Sequence, residues 1–301
     1  MTSTLSSLNR AVAAYTATRP RQGKYYIPTE IDDLTFMRVE APSRPDHSLY
    51  RPSLCVSVQG GKQAAIGRAI LNYSAGQYLV VGLDVPVVGR VTRASPAEPY
   101  LGLKLALDLA ILFEVAQVVD IPAEMPEVEL ASFVGQPDAR LTETLLRIVE
   151  LLETPRAIPV LYPAIVRELY FRLLCGPSGP AFTRLALPNG HASRISEAIK
   201  LMKARFPAPI RIDNLADAAG MSPSTFHTHF KSVTGMTPIS YYKHLRLLEA
   251  RRILMNEPFE SAGSVAYQVG YESPSQFSRD YVRWFGIPPG QEAAAARRSV
   301  A

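Results

Sequence analysis

Near the C-terminus one short pattern occurs twice, and it is compatible with very few folds. The first copy runs Leu215-Ala216-Asp217-Ala218-Ala219-Gly220-Met221-Ser222-Pro223-Ser224-Thr225-Phe226, with Phe230 four residues on. The second runs Val265-Ala266-Tyr267-Gln268-Val269-Gly270-Tyr271, then Glu272 and Ser273-Pro274-Ser275-Gln276-Phe277, with Tyr281 four residues on. Each copy reads as a short helix, a tight turn through glycine, and a second helix capped by serine with proline at its first position. Such a unit holds its second helix outward, in a form that fits the DNA major groove. Two copies in one chain predict an all-helical domain with two groove-reading helices.

The residues on each second helix sort by angle. In the first, Phe226, Phe230 and Val233 share one face at i, i+4 and i+7 and are expected to pack inward. At about 100° per residue, Ser224, Thr228 and Lys231 point away, flanked by Thr225 and His227. His229 falls nearer the buried face and reads as structural. In the second, Phe277, Tyr281 and Trp284 are expected inward. Ser275 and Arg279 point outward, flanked by Gln276 and Ser278, with Arg283 further along. Arg279 matches guanine O6 and N7, or phosphate, and Gln276 matches adenine. Lys231 and Arg283 suit phosphate, which positions a protein without specifying sequence. Between the copies, Thr237-Pro238 opens a helix that runs to Leu254. At about 17 residues and roughly 25 Å, it is a suitable spacer between two readers.

Charge follows the same division. Residues 190–301 carry 14 Lys and Arg against 9 Asp and Glu, whereas residues 1–189 carry 18 against 18. The excess lies with the repeated motif, where phosphate would meet it. The two cysteines, Cys55 and Cys175, are far apart and suggest neither a disulfide framework nor a zinc site. The most apolar stretch, Leu101 to Val119, is interrupted by Lys104, Asp108 and Glu114, so no membrane span is expected. Met1 to Arg21 lacks a signal-peptide core, and a reducing cytoplasm is the expected setting.

Residues from about 30 to 107 read as strands. Leu54, Val56 and Val58 alternate with Cys55, Ser57 and Gln59. Gln59-Gly60-Gly61-Lys62 reads as a hairpin turn, and Leu101, Leu103, Leu105 and Leu107 form another period-two face. Many short strands with frequent turns suggest a sandwich or small barrel. From Asp108 the period becomes helical. Helices are expected at 108–119, at 139–153 and after Pro159 to about residue 175, with 120–138 as a connector. Leu187-Pro188-Asn189-Gly190 reads as a linker. The fold class is therefore α+β and multidomain. Residues 1–189 form a β-barrel with appended helices, and residues 190–301 form an all-α domain. The amphipathic helices are suited either to internal packing or to a dimer seam.

Residues from about 192 to 290 resemble the DNA-binding domain of the AraC/XylS family of bacterial transcriptional regulators. The resemblance rests on Leu215-Ala216 to Gly220-Met221-Ser222, Phe226 to Phe230-Lys231, Thr234-Gly235 and Pro238. It continues through Arg246-Leu247, Ala250-Arg251-Arg252 and Leu254. Its last elements are Val269-Gly270-Tyr271, Phe277-Ser278-Arg279, Phe285-Gly286 and Pro289. Pro52 to Val56, Gln59 to Lys62, Tyr73 to Val80 and Asp84-Val85-Pro86 resemble the N-terminal, cupin-like domain of one AraC-type subgroup. The resemblance implies a regulator, usually an activator contacting RNA polymerase, that binds an operator in double-stranded DNA. It also implies that the barrel holds a small-molecule effector and supports a homodimer. Catalytic cupins use histidines and carboxylates around a metal. The barrel region here has only His47, so no cofactor, metal or catalytic residue is expected. Tyr73, Tyr78 and Asp84 are candidate effector contacts, and Cys55 is either a thiol sensor or an inert buried cysteine. Two other readings are a cupin-type enzyme with an accessory DNA-binding domain and an architectural protein that binds DNA without sequence preference.

Overall fold

The computed structural model describes residues 3–20, 25–119, 130–187, 190–257 and 260–300, with the backbone alone over 295–300. The N-terminal half is built on two sheets. One has six strands in the order β1 (Tyr26–Pro28), β2 (Leu34–Val39), β9 (Tyr100–Ala106), β4 (Ser53–Gln59), β7 (Gln77–Val81) and β10 (Ser132–Gly135). The other has four, ordered β3 (Asp46–Tyr50), β8 (Val85–Arg93), β5 (Gly61–Ile66) and β6 (Ala69–Ser74). All pairings are antiparallel.

The turn at Gln59 to Lys62 is not a hairpin. β4 pairs with β9 and β7, whereas β5 pairs with β8 and β6, so the chain changes sheets at this point. Gly60 makes the change with φ +79°, and a Cβ there would strike the Arg93 carbonyl oxygen. Turn residues disclose that the chain reverses, but not which strand it then joins.

Three elements were not visible in the sequence pattern. Helix α1 (Ser3–Thr18) lies on the outer face of the six-stranded sheet and buries Leu8, Val12 and Thr16. Asn9 donates its side-chain amide to the Val58 carbonyl at 3.2 Å, which fixes α1 to the end of β4. Strand β10 lies within the expected connector and pairs with β7; residues 120–129 of that connector are outside the described residues. Helix α5 (Gly179–Ala186) begins within Gly176-Pro177-Ser178-Gly179-Pro180, whose glycines and prolines end the preceding helix near residue 175. The other helices fall where expected: α2 (Leu109–Val118), capped by Asp108; α3 (Ala139–Glu150), capped by Asp138; and α4 (Ile158–Cys175).

The C-terminal half is helical: α6 (His191–Ala204), α7 (Ile212–Ala218), α8 (Pro223–Thr234), α9 (Pro238–Asn256), α10 (Ala262–Gln268), α11 (Pro274–Phe285) and α12 (Pro289–Val300). Its apolar interior is divided. The side chains of α6, α7, α8 and the first half of α9, as far as Leu245, belong to one continuous core with the sheets and α1 to α5. The second half of α9, from Leu247, forms a separate core with α10, α11 and α12. Glu292 on α12 is buried in that second body. It accepts hydrogen bonds from Arg251 Nε at 2.8 Å and from the Tyr281 hydroxyl.

Candidate nucleic-acid interface

The two helix-turn-helix units are built alike, bond for bond. In the first, Gly220 has φ +60°, its N–H meets the Asp217 carbonyl at 2.9 Å, and Met221 N–H meets the Ala216 carbonyl at 2.9 Å. In the second, Gly270 has φ +82°, and the matching bonds are Gly270 to Tyr267 and Tyr271 to Ala266, both 2.9 Å. These left-handed glycines close each turn within a conformation that a β-carbon disfavours. An arginine from an outside helix braces each turn. Arg194 of α6 donates to the Ala219 carbonyl at 2.7 Å and to that of Gly220. Arg246 of α9 lies against Gly270 and donates to the Pro207 carbonyl at 3.2 Å.

Each second helix starts as its sequence requires. The Ser222 hydroxyl accepts from Thr225 N–H at 3.3 Å and that of Ser273 from Gln276 N–H at 3.4 Å, with Pro223 and Pro274 following the caps. Phe226, Phe230 and Val233 of α8, and Phe277 and Tyr281 of α11, are buried. Both helices end on left-handed glycines, Gly235 and Gly286.

The opposite faces are open. Ser224, Thr225, His227, Thr228 and Lys231 on α8 are exposed, as are Ser275, Gln276, Arg279 and Arg283 on α11; Ser278 is half-buried. The two faces differ in chemistry. On α8 the hydroxyls are already engaged locally. Ser222 Oγ donates to Thr225 Oγ1 at 2.8 Å, Ser224 Oγ lies 3.3 Å from Ser222 Oγ, and Thr228 Oγ1 donates to the Ser224 carbonyl at 3.1 Å. What projects is a threonine methyl, the His227 ring and the Lys231 ammonium. On α11 the Arg279 guanidinium and the Gln276 amide make no side-chain hydrogen bond or ion pair among the described residues, which leaves planar bidentate groups exposed.

Two side chains of α11 also have neighbours that the helical wheel does not show. Trp284 packs against its own domain's core, as the wheel predicts, but not on that core alone. Half-buried, it turns to His244 of α9 and to His47 of β3, whose ring lies edge-on to it at 5.7 Å and to Phe285 at 4.9 Å. The wheel gives a direction but cannot show that the neighbour on that side is the barrel. Arg283, beside it, lines a cleft of about 1070 Å³ between the two halves, together with Arg44, Asp46, Lys203 and Arg252. His229 is half-buried and stacks on His191 at 3.7 Å.

The N-terminal candidates are not brought together. Tyr78 faces away from the space between the sheets and donates to Ser178 Oγ at 3.1 Å, against Phe182. Asp84 lies at the junction of the halves, with its carboxylate 2.5 Å from Lys203 Nζ and its carbonyl accepting from the Tyr241 hydroxyl at 2.6 Å. Tyr73 alone points between the sheets, beside Tyr100. Cys55 is buried 3.8 Å from Ser53 Oγ, and Cys175 is exposed. The alternation in β9 was legible, but its sense was not. Leu101, Leu103 and Leu105 face outward under α1, while Tyr100 and Lys104 face inward. Sequence reasoning therefore missed Lys62 and Lys104, although both sit in register on strand faces of period two.

Residues 30–181, half of the chain, match the family described as AraC-type transcriptional regulator N-terminus, and residues 215–294 match a helix-turn-helix domain. The chain belongs to the AraC family of transcriptional regulators. Among related proteins, this AraC-family chain is 34% identical over 99 residues to the HTH-type transcriptional regulator GbdR of Pseudomonas aeruginosa, covering 33% of this chain and 27% of that one. It is 32% identical over 98 residues to the HTH-type transcriptional activator RhaS of Escherichia coli, covering 33% and 35%. The chain thus spans about a third or less of the length of these relatives. Over nearly the whole molecule, the AraC-family fold is shared with ToxT of Vibrio cholerae, solved with an unsaturated fatty acid bound. The TM-score is 0.52 at 9% identity, over 92% of this chain and 97% of that one. No helix among the described residues is long and apolar enough to cross a membrane.

Proposed function

We propose that the protein is a one-component regulator that reads a specific operator through α8 and α11 and responds to a small molecule held by its N-terminal half. The observation that carries this reading is the bond-for-bond equivalence of the two turns, each presenting an open helix face. Arg279 and Gln276 read base edges, Lys231 and Arg283 hold phosphates, and Ser224, Thr225, His227, Thr228, Ser275 and Ser278 complete the contact surface. Residues 1–189 form the sensing unit and 190–301 the reading unit. The exposed side of α4, with Val160, Leu161 and Phe171, supports a homodimer seam. RNA polymerase is the expected further partner, and the cytoplasm the expected site of action.

A binding rather than catalytic role for the N-terminal half is supported by His47. It is the single histidine of that half and points out of the sheets toward Trp284. The test is capture of random genomic fragments by the full-length protein at physiological salt, followed by sequencing. A small set of sharp peaks is expected, and uniform coverage would sink the claim of specific reading.

A further inference from the structure

The interior between the two sheets is not a uniform apolar filling. At one end a small cluster of Met37, Val39, Val91 and Tyr100 is separate from the main core, and polar side chains from both sheets meet beside it. Lys62 of β5 is buried there. Its ammonium donates to the Tyr50 hydroxyl at 3.1 Å and to Met37 Sδ at 3.4 Å, and it makes no ion pair among the described residues. Lys104 of β9 approaches from the opposite sheet. Its ammonium lies 4.7 Å from the centre of the Tyr50 ring and makes no hydrogen bond or ion pair among the described residues. The Tyr73 hydroxyl is buried without a well-formed hydrogen bond, its neighbour being the Tyr100 phenol.

Lys62 is buried and Lys104 half-buried, and neither has a bonded carboxylate among the described residues, a costly arrangement because a buried charge needs a partner. A cavity of about 600 Å³ opens beside Lys104 and Tyr50, lined also by Tyr26, Asp32, Asp33, Thr35 and Arg51; Lys62 does not line it and lies behind Tyr50. Tyr50 links the two lysines, since its ring lies under Lys104 and its oxygen accepts from Lys62. With that oxygen occupied, the Tyr50 O–H is left to donate, polarised by the ammonium behind it.

We infer that this cavity is a small-carboxylate site in which the anion accepts hydrogen bonds from Lys104 and the Tyr50 hydroxyl, with Lys62 as the buried counter-charge. This rests on the reading of the N-terminal half as an effector domain and assigns its ligand to organic acids rather than sugars, amines or neutral aromatics. Phosphate shares the anionic chemistry, but its tetrahedral charge needs more donors than two lysines and a phenol supply.

The experiment titrates the full-length protein with benzoate, and in separate arms with acetate, phosphate and the neutral isostere benzamide, at constant ionic strength. Thermal unfolding is the readout. Benzoate or acetate should raise Tm by several degrees at tens of millimolar, with benzamide and phosphate inert. Lys104→Met should weaken the carboxylate effect at least tenfold. Lys62→Met should do the same while leaving the unliganded protein folded and no less heat-stable, because an isosteric apolar side chain relieves a buried charge. A Tm drop in unliganded Lys62→Met would show a purely structural lysine and overturn the proposal. Equal shifts by benzamide, a carboxylate effect untouched by either lysine variant, or no shift by either carboxylate would also overturn it. Shifts by phosphate alone would reassign the site to inorganic anions. The underlying effector reading fails by a different result: operator retention by the full-length protein that no small-molecule fraction of a cell extract alters.

Discussion

The two helix-turn-helix units share their caps, their left-handed glycines and their turn hydrogen bonds, yet the rest of the molecule grips them very differently. The first is fused to the N-terminal half. Val233 of α8 accepts a backbone hydrogen bond from Ala131 at 3.0 Å, Gly67 and Gly235 touch backbone to backbone, and the core of α8 is continuous with that of the sheets. The second has its own core and meets the barrel mainly through His47, Trp284 and Phe285 above a wide cleft. Local sequence thus dictates how a reading unit is built, while its attachment is set by residues outside it. One reader shares the core of the N-terminal half, and the other has a core of its own.

The largest test of that contrast is removal of one buried aromatic from each unit. Phe230→Ala and Phe277→Ala should each cost about 3–5 kcal/mol. Followed by denaturant titration, Phe230→Ala should weaken the main transition that includes the sheets. Phe277→Ala should split off an earlier transition confined to the second unit. If both variants merely shift one common transition, the two cores are not independent. Next in size is base reading. Arg279→Ala should lower operator affinity by about 1–3 kcal/mol and relax specificity at one base position. Thr228→Val should cost less than about 1 kcal/mol, since its hydroxyl already bonds to the Ser224 carbonyl. Equal losses in a binding titration would show that both helices read with comparable strength.

The seam between the second unit and the barrel should respond to acid. Burial, aided by the Arg251 charge, pushes the His47 pKa down to about 4, and burial with His47 and Lys243 nearby pushes that of His244 to about 2. Both rings are neutral in the folded protein, and the unfolded chain takes up protons first. The seam is therefore at full strength above about pH 6.5 and weakens as pH falls from there toward 4. Trp284 is the only tryptophan in the chain and lies on this seam, so its fluorescence should change in that window. His47→Phe should reduce the change, and an unaltered response would place its origin elsewhere. The smallest effect is electrostatic. Lys231→Ala and Arg283→Ala should each reduce the salt dependence of DNA binding by about 0.9 in log–log slope, without altering sequence preference.

The reading units were legible because their chemistry is local. A serine cap, a proline at N1, a left-handed glycine and aromatic residues four apart need no tertiary information. The sheets were legible as strands, but not in their assembly. Gly60 showed a turn and concealed a change of sheet. The leucines of β9 showed two faces without showing that helix α1 covers the apolar one. Helix α1 itself buries only a stripe of Leu8, Val12 and Thr16 among small polar residues, too thin a signal to separate from a coiled N-terminus. Of the effector candidates, Tyr78 and Asp84 are polar groups beside strands that packing directs to α5 and to the junction. Lys62 and Lys104 escape a sequence reading because a lysine on a strand ordinarily marks the solvent side.

Helix α9 gives this uneven attachment a mechanical meaning. It holds the first unit's core with one end and the second unit's with the other, and its 19 residues span about 28 Å. Near its start, the Tyr241 hydroxyl is bonded to the Asp84 carbonyl in the loop between β7 and β8. A rod fixed so close to one end multiplies small angles. A tilt of roughly 10° at the Asp84 end carries the far end about 5 Å, more than the 3.4 Å rise of one base step. A displacement too small to disturb the packing of the barrel would then be enough to put α11 out of register with its operator half-site.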